Sequence, residues 1–216
     1  MNNVAVTVAN TIIPRSTVFT TRDVAEAASV AIAVASRDLG KLANHGVISR
    51  VTRGLWADTK HPDFSRYAVV PYLVRVSRDG AVGYVSLLSA LHLHAMIEQI
   101  PRTIQVVVGK QRPAVKTTVG TYEFHKIQPP LLSGHVPYRQ TGNFDIATPA
   151  KALFDTLYIS ARRGRRFSHL PELTLVRDFS RAELEKWIHR IEFQKLRLAV
   201  ANRWARLRTT LDLPVH

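Results

Sequence analysis

Residues 18–57, VFTTRDVAEAASVAIAVASRDLGKLANHGVISRVTRGLWA, carry the clearest fold signal in this chain of 216 residues. Thr20 and Thr21 stand before an alanine-rich segment, residues 22–28. A hydroxyl cap followed by an acid in the first turn is typical of a helix N-terminus. A second helix is predicted over residues 29–44, so that two helices follow each other with a tight turn between them.

The second predicted helix has one apolar face and a defined end. Ala35, Leu39 and Leu42 recur at the i, i+4, i+7 spacing that places side chains on one side of a helix. Gly46 then supplies a residue that adopts the left-handed conformation found after many helices. The pattern predicts a helix that packs on a core through one face and leaves the other in solvent.

Two short strands are predicted next, over residues 47–51 and 55–57, around the turn residues 52–54. The order helix, tight turn, helix and β-hairpin is the pattern of a winged helix-turn-helix. We therefore expect such a DNA-binding domain over residues 1–62, with the apolar residues 1–13 as its first helix.

The rest of the chain follows the turn-rich residues 58–63 and predicts a second domain over residues 63–216. Its pattern is mixed α/β and ends in a C-terminal helical extension, which makes the predicted class of the whole chain α+β. The predicted helices cover residues 67–76, 84–96, 150–160 and 181–208, and the predicted strands cover residues 103–108, 117–127 and 144–147.

Composition narrows the classes of function. Thirty Lys and Arg stand against sixteen Asp and Glu, which gives a formal net charge of +14 and favours polyanionic partners such as nucleic acid. The chain has no cysteine, which excludes disulfides, thiolate metal sites and a cysteine nucleophile. The apolar stretches are shorter than the roughly 18 residues of a spanning helix, so no membrane role is expected and the expected location is the cytoplasm.

The candidate DNA-binding residues lie on the predicted second helix, at its approach and on the hairpin. The helix face opposite the apolar one offers two cations, a small side chain and an amide, the hairpin adds two cations, and the hydroxyls are helix caps that also suit a phosphate. The alternative for the four cations is an ordinary solvated surface, and the alternative for the hydroxyls is a cap alone. The set is Thr21, Ser29, Ala33, Arg37, Lys41, Asn44, Arg50 and Arg53.

The start of the same helix, residues 30–34, is VAIAV and lacks the polar side chains that usually read base edges. A modest ratio of specific to non-specific affinity is therefore expected for one monomer. Useful selectivity is expected from paired sites, with the protein a monomer in solution or a weak dimer on DNA.

A second basic feature is the cluster Arg162, Arg163, Arg165 and Arg166. Four guanidinium groups within five residues repel one another and indicate an anionic partner. The equally weighted alternative is a helix C-terminus, where the helix dipole favours cations.

Sequence motifs for catalysis or metal binding are missing. His92 and His94 lie on different sides of the predicted helix, which disfavours a shared metal ion. Ser86, Asp145 and Asp155 fit no glycine-rich phosphate loop, nucleophile elbow or paired acidic motif. No catalytic residue, metal or cofactor is predicted, and the chain is not expected to be an enzyme.

Residues 18–57 resemble the winged-helix domain of the AbiEi family, the antitoxins of bacterial AbiE toxin-antitoxin systems. Three further segments resemble the family's C-terminal domain: residues 84–108, YVSLLSALHLHAMIEQIPRTIQVVV, residues 120–131, GTYEFHKIQPPL, and residues 146–167, IATPAKALFDTLYISARRGRRF. The resemblance covers most of residues 18–190 and depends on the order of several segments.

The resemblance implies an autorepressor that binds inverted repeats in its own promoter. It also implies neutralisation of an AbiEii-like nucleotidyltransferase toxin through the C-terminal domain, without a stable complex, as in type IV systems. The alternatives are a nucleic-acid-processing enzyme that a winged helix targets to its substrate, and a protein-binding module that sequesters the toxin.

Overall fold

The computed structural model describes residues 3–75, 83–140, 142–163 and 171–211. It is an α+β structure in which helices accompany two separate sheets, as the sequence predicts. In the described chain, no helix is both long and apolar enough to cross a membrane.

The chain divides into two compact units. The first contains Met1–Val76, Val115–Thr121 and Tyr138–Phe144, and the second contains the intervening and C-terminal residues, Ser77–Ala114, Tyr122–Pro137 and Asp145–His216. The first unit thus continues past residue 62 and includes two later segments. The boundary after residue 62 stays a prediction about which part of the chain folds on its own.

The first unit begins with helix α1, Asn3–Thr7, which continues as a π-helical segment, Val8–Ile12. Strand β1, Val18–Thr20, helix α2, Thr21–Ala27, helix α3, Ile32–Asn44, and strands β2, Ser49–Thr52, and β3, Leu55–Ala57, follow in that order. A 3₁₀ turn, Arg66–Val69, leads into helix α4, Val70–Arg75.

The three strands of the first unit form an antiparallel sheet in the order β1-β3-β2. Strand β1 was not predicted, because three residues are too few to show a β period. The core of this unit contains Phe19 and Trp56 from the sheet and Leu39 from α3, with Val4 and Val8 from the first helical segment. Residues 1–13 therefore contribute core side chains, in line with the predicted first helix.

Helix α3 begins at Ile32, so the prediction that it starts at residue 29 is wrong. Ser29 has a φ of 53° and lies just past the end of α2. The next residue, Val30, donates its N–H to the carbonyl of Ala25 at 3.0 Å, the bond that closes a Schellman turn. Ser29 therefore takes the left-handed position that ends α2, a position usually filled by glycine.

The second unit has a larger sheet, and some residues of its outer strands belong to the first unit. Strand β4, Gly83–Val85, precedes helix α5, Leu87–Leu93, and strands β5, Ile104–Val108, β6, Val115–Thr117, β7, Gly120–Lys126, β8, His135–Tyr138, and β9, Phe144–Ala147, complete the sheet. The strand order is β6-β7-β5-β4-β9-β8. Strand β4 pairs antiparallel with β5 and parallel with β9, which places it in the middle of the sheet.

A 3₁₀ turn, Pro129–Leu131, and three helices complete the chain: α6, Pro149–Arg163, α7, Arg181–His189, and α8, Gln194–Thr210. Thr148 and Ser180 cap α6 and α7 through their hydroxyls, at 3.2 Å from the Lys151 N–H and 3.1 Å from the Glu183 N–H. The sequence predicts both caps.

Three further predictions in this unit need correction. Residues 84–96 are not one helix, because Tyr84 and Val85 lie fully buried in β4 and α5 starts only at Leu87. The strand predicted over residues 117–127 is largely β7, Gly120–Lys126, but Thr117 already belongs to β6 and a turn separates the two strands. The helix predicted over residues 181–208 is broken between α7 and α8, where Ile191 turns into the core. A continuous apolar run does not by itself distinguish a helix from a buried strand.

Candidate functional site

Helix α3 has one buried and one exposed face, as predicted. Ala35 and Leu39 are fully buried and Leu42 is half-buried against the same core. The opposite face, at i, i+4, i+8 and i+11, is exposed to solvent and consists of Ala33, Arg37, Lys41 and Asn44. We refer to these four residues as the α3 face.

The two cations of the α3 face share one buried carboxylate. Asp38 is 4% exposed, and its Oδ1 lies 3.3 Å from Arg37 Nε and 3.4 Å from Lys41 Nζ. The side chains of Arg37 and Lys41 remain 64% and 62% exposed. Asp38 thus anchors the two cations at the helix surface while most of each side chain stays in water.

The β2–β3 hairpin presents the other two predicted cations. Arg50 is exposed, and its guanidinium carbon lies 5.7 Å from the ring centre of Trp56. Arg53 is exposed in the turn, beside Gly54, whose φ of 74° fits a tight hairpin. Thr118, from a later segment of the same unit, donates its hydroxyl to the Arg50 carbonyl at 2.9 Å. The hairpin is therefore tethered while its two arginines face solvent.

The two hydroxyl candidates lie in different surroundings. Ser29 is exposed in the turn between α2 and α3. Thr21 is buried, and its Oγ1 accepts a hydrogen bond from Trp56 Nε1 at 2.8 Å, which ties the start of α2 to β3. The cap of α2 is Thr20, which exchanges hydrogen bonds with Asp23 in a capping box. The structure brings Ser29 to the surface but holds Thr21 inside.

The arginine cluster is described only in part. Arg162 is exposed, donates to the carbonyl of Lys126 at 3.2 Å and lies 5.7 Å from the ring centre of Tyr158. Helix α6 ends at Arg163, whose side chain lies outside the described residues, as do Arg165 and Arg166. The position of Arg162 at a helix C-terminus agrees with the dipole alternative, and an anionic partner stays a prediction.

The second unit contains a buried polar cluster that sequence reasoning missed, formed by Tyr84, Ser86, Lys151 and Asp155. All four residues have 0% exposure. Lys151 Nζ contacts Asp155 Oδ1 and donates to the Tyr84 hydroxyl at 2.8 Å. Asp155 Oδ2 accepts from Ser86 at 2.7 Å and from Tyr84 at 3.2 Å. Each polar group of the cluster therefore has a partner inside the protein.

Aromatic rings complete the surroundings of Lys151. Its Nζ lies 4.9 Å from the ring centre of Trp187 and 5.1 Å from that of Phe154. Glu183 accepts from Trp187 Nε1 at 3.2 Å and from the Thr148 hydroxyl at 2.7 Å. A carboxylate, a phenol hydroxyl and aromatic faces therefore replace water around the Lys151 ammonium group in the folded protein.

Burial dominates the proton equilibria of this cluster. It raises the pKa of Asp155, against the opposing effect of the Lys151 charge. It lowers the pKa of Lys151, which the Asp155 carboxylate partly offsets. The pKa of Tyr84 lies well above its ordinary value of 10.0, because of burial and the neighbouring carboxylate. The phenol therefore keeps its proton over the physiological range.

Two of the four residues of this cluster could be placed together from the sequence. Lys151 and Asp155 are four residues apart in a predicted helix, which places them on one face. Tyr84 and Ser86 are more than 60 residues earlier, and no spacing rule connects them to α6. Ser86 and Asp155, which fit no catalytic motif, do meet in the structure. Asp145 is not in the cluster but lies 3.6 Å from His135, whose ring stacks on that of Tyr84.

In comparisons with known proteins, no family model and no curated protein matches this chain significantly. The resemblance to the AbiEi family therefore stays a prediction.

Proposed function

We propose that the chain is a DNA-binding antitoxin of the AbiEi type. In this proposal the first unit binds the promoter of its own operon as a repressor, and the second unit neutralises a nucleotidyltransferase-like toxin. The observation that carries the DNA-binding part is the α3 face. It presents two exposed cations, one helical turn apart, on the helix that follows a tight turn. The protein would act in the cytoplasm, where its DNA is.

The topology of the first unit supports a winged helix-turn-helix. The order α1, β1, α2, α3, β2, β3 with the sheet order β1-β3-β2 is the arrangement found in winged-helix domains. In this proposal α3 is the recognition helix and the β2–β3 hairpin is the wing. Ser29 supplies the sharp turn between the two helices.

The charges of the first unit support duplex DNA as the ligand. Arg37 and Lys41 extend from the recognition helix, and Arg50 and Arg53 extend from the wing. Cations on two separate elements suit two stretches of phosphate backbone, with the helix in the major groove between them. We propose that paired half-sites in an inverted repeat supply the selectivity, with the protein a monomer in solution or a weak dimer on DNA.

The test is the salt dependence of binding to the duplex upstream of the chain's own gene. Each of R37A, K41A, R50A and R53A is expected to lower the slope of log affinity against log salt by about one for each phosphate that the variant no longer neutralises. K195A, which removes an exposed cation on α8, is the matched control and leaves the slope unchanged. Unchanged slopes in all four variants would overturn the assigned DNA surface.

The antitoxin part rests on the resemblance of residues 84–108, 120–131 and 146–167. Its test uses full-length chains, because a fragment that starts at residue 63, where the predicted second domain begins, would divide the first unit. The double variant R37A/K41A is expected to lose repression but still rescue cells that express a cognate nucleotidyltransferase-like toxin. Loss of both activities together would contradict separate surfaces, and stable co-purification with the toxin would favour sequestration over a type IV mechanism.

The second candidate is a nucleic-acid-processing enzyme, and the observation that bears on it is the buried polar cluster. Lysine, aspartate, tyrosine and serine are groups that do acid-base chemistry, but all four side chains are fully buried and already bonded to one another. A reacting substrate has to touch its catalytic groups. We therefore propose that the chain is not an enzyme and needs no cofactor, and turnover of DNA or RNA by the pure protein would overturn this.

A further inference from the structure

The first turn of α3 presents apolar side chains to solvent. Ala31, Ile32 and Ala33 are all exposed, and Ile32 is exposed by 54%. Its neighbours Val30 and Ala35, in contrast, pack on the core of the first unit. The isoleucine thus gains little from folding, because about half of its side chain stays in water.

The position of this apolar turn limits what its ligand is. Ala33 precedes Arg37 and Lys41 by one and two helical turns on the α3 face, and Ile32, the first residue of α3, is about 100° around the helix from Ala33, on the side of Ala35 and Leu39. The cations select an anionic partner, and the proposed winged-helix arrangement directs the start of this helix at base edges. The thymine methyl is the apolar group that a duplex offers in its major groove.

We propose that Ile32 and Ala33 contact thymine C5-methyl groups in the operator and thereby set the base preference of each half-site. The inference rests on the proposed DNA-binding function and deepens it. Residues 30–35 are Val-Ala-Ile-Ala-Val-Ala, so no side chain of the first turn donates or accepts a hydrogen bond. Direct readout at this turn therefore depends on shape and apolar contact.

This readout has a modest size per contact. Burial of one methyl group contributes about 0.8 kcal/mol, which corresponds to about a fourfold change in affinity for each methyl contacted. A single half-site would consequently discriminate weakly, and two half-sites would multiply the effect. The α3 cations bind phosphates and would contribute equally to any sequence.

The experiment is a double-mutant cycle between the protein and its DNA. The duplex upstream of the chain's own gene is made either with thymine or with uracil at the bound site, since uracil pairs alike and lacks the methyl group. Full-length wild type and I32A are measured on both duplexes. V47A is the matched control, because Val47 is exposed by 51% beyond the other end of α3.

Coupling between the two changes is the expected result. Wild type should bind the thymine duplex about fourfold more tightly for each contacted methyl, I32A should lose most of that preference, and V47A should keep it. If wild type prefers the upstream duplex to unrelated DNA, but its preference for thymine over uracil is absent or is as large in I32A, the inference is wrong and the proposed function stands. If wild type binds the upstream duplex no more tightly than unrelated DNA, the proposed function fails and this inference fails with it.

Discussion

Two helices of this chain carry a lysine and an aspartate within about one turn of each other, and the two lysines lie in opposite environments, whereas both aspartates are buried. We call the α3 pair the exposed pair, after its lysine, and the α6 pair the buried pair. On α3, Lys41 is 62% exposed beside Asp38. On α6, Lys151 and Asp155 are both fully buried. The same two residue types therefore leave a cation available at the surface in one unit and enclose one in the other.

The difference lies in what surrounds each lysine. Lys41 has water and one shared carboxylate oxygen, so a polyanion can still approach it. Lys151 has Asp155, the Tyr84 hydroxyl and aromatic rings, which together replace its hydration. A basic residue in the sequence is thus evidence for a polyanionic partner only when its surroundings leave it exposed.

The largest effect is expected from breaking the buried pair. K151M leaves the fully buried Asp155 carboxylate without its cation, and the free energy of unfolding should fall by about 3–5 kcal/mol. K41M, the matched change at the exposed lysine, leaves Asp38 paired with Arg37 and should cost at most about 1 kcal/mol. Urea unfolding of both variants at neutral pH measures the difference.

The double variant K151M/D155L separates charge from packing. It removes both charges and fills the site with apolar side chains, so it should recover part of the stability that K151M loses. The recovery is incomplete because the Tyr84 and Ser86 hydroxyls lose their shared acceptor. Equal losses in the single and double variants would show that the shape of the Lys151 side chain, rather than the isolated carboxylate, accounts for the effect.

A second test uses the proton on Tyr84. Its pKa in the folded protein is raised above the ordinary 10.0, so the folded state keeps a proton that the unfolded chain loses. The corresponding stability is fully present below pH 10 and is lost as the pH rises toward the folded-state pKa. The advantage of wild type over Y84F should therefore shrink by up to about 1.4 kcal/mol between pH 8 and pH 11.

Y138F is the control for this experiment, because the Tyr138 hydroxyl contacts Gln140 at an exposed site of the first unit. The other tyrosines are common to wild type and Y84F, so their ionisation cancels in the comparison. A constant difference between wild type and Y84F across this range would mean that the buried phenol ionises as it does in the unfolded chain.

The two regions also differ in how much of their structure the sequence predicts. The helices, the hairpin and the exposed face in residues 18–57 follow from local signals, such as the apolar spacing of Ala35 and Leu39 and the glycine of the hairpin turn. Ser29 was predicted to begin α3 because its hydroxyl is typical of a helix N-terminus. In the folded chain its backbone instead takes the left-handed conformation that ends α2. A serine at positive φ has no local signature.

The buried cluster could not be predicted, because its members meet only through the sheet. Tyr84 lies in the central strand β4, which pairs with both β5 and β9, and its apolar neighbours predict a helix as readily as a strand. Once Tyr84 is in the sheet, its hydroxyl reaches α6 and the Lys151–Asp155 pair has a partner. The pairing of distant strands therefore brings the residues of the cluster together, and their spacing along the sequence does not predict it.

The smallest effect is expected from the acid of the exposed pair. Asp38 holds Arg37 and Lys41 at the surface, but its charge also opposes the approach of phosphates. D38N keeps an oxygen that accepts a hydrogen bond and removes the charge, so affinity for the upstream duplex should rise by up to about fivefold at low salt, and less at high salt. The matched change D155N should leave DNA affinity unchanged at a temperature where it is folded. If D38N weakens binding instead, Asp38 acts chiefly by positioning the two cations, and the exposed pair would resemble the buried one in depending on its carboxylate.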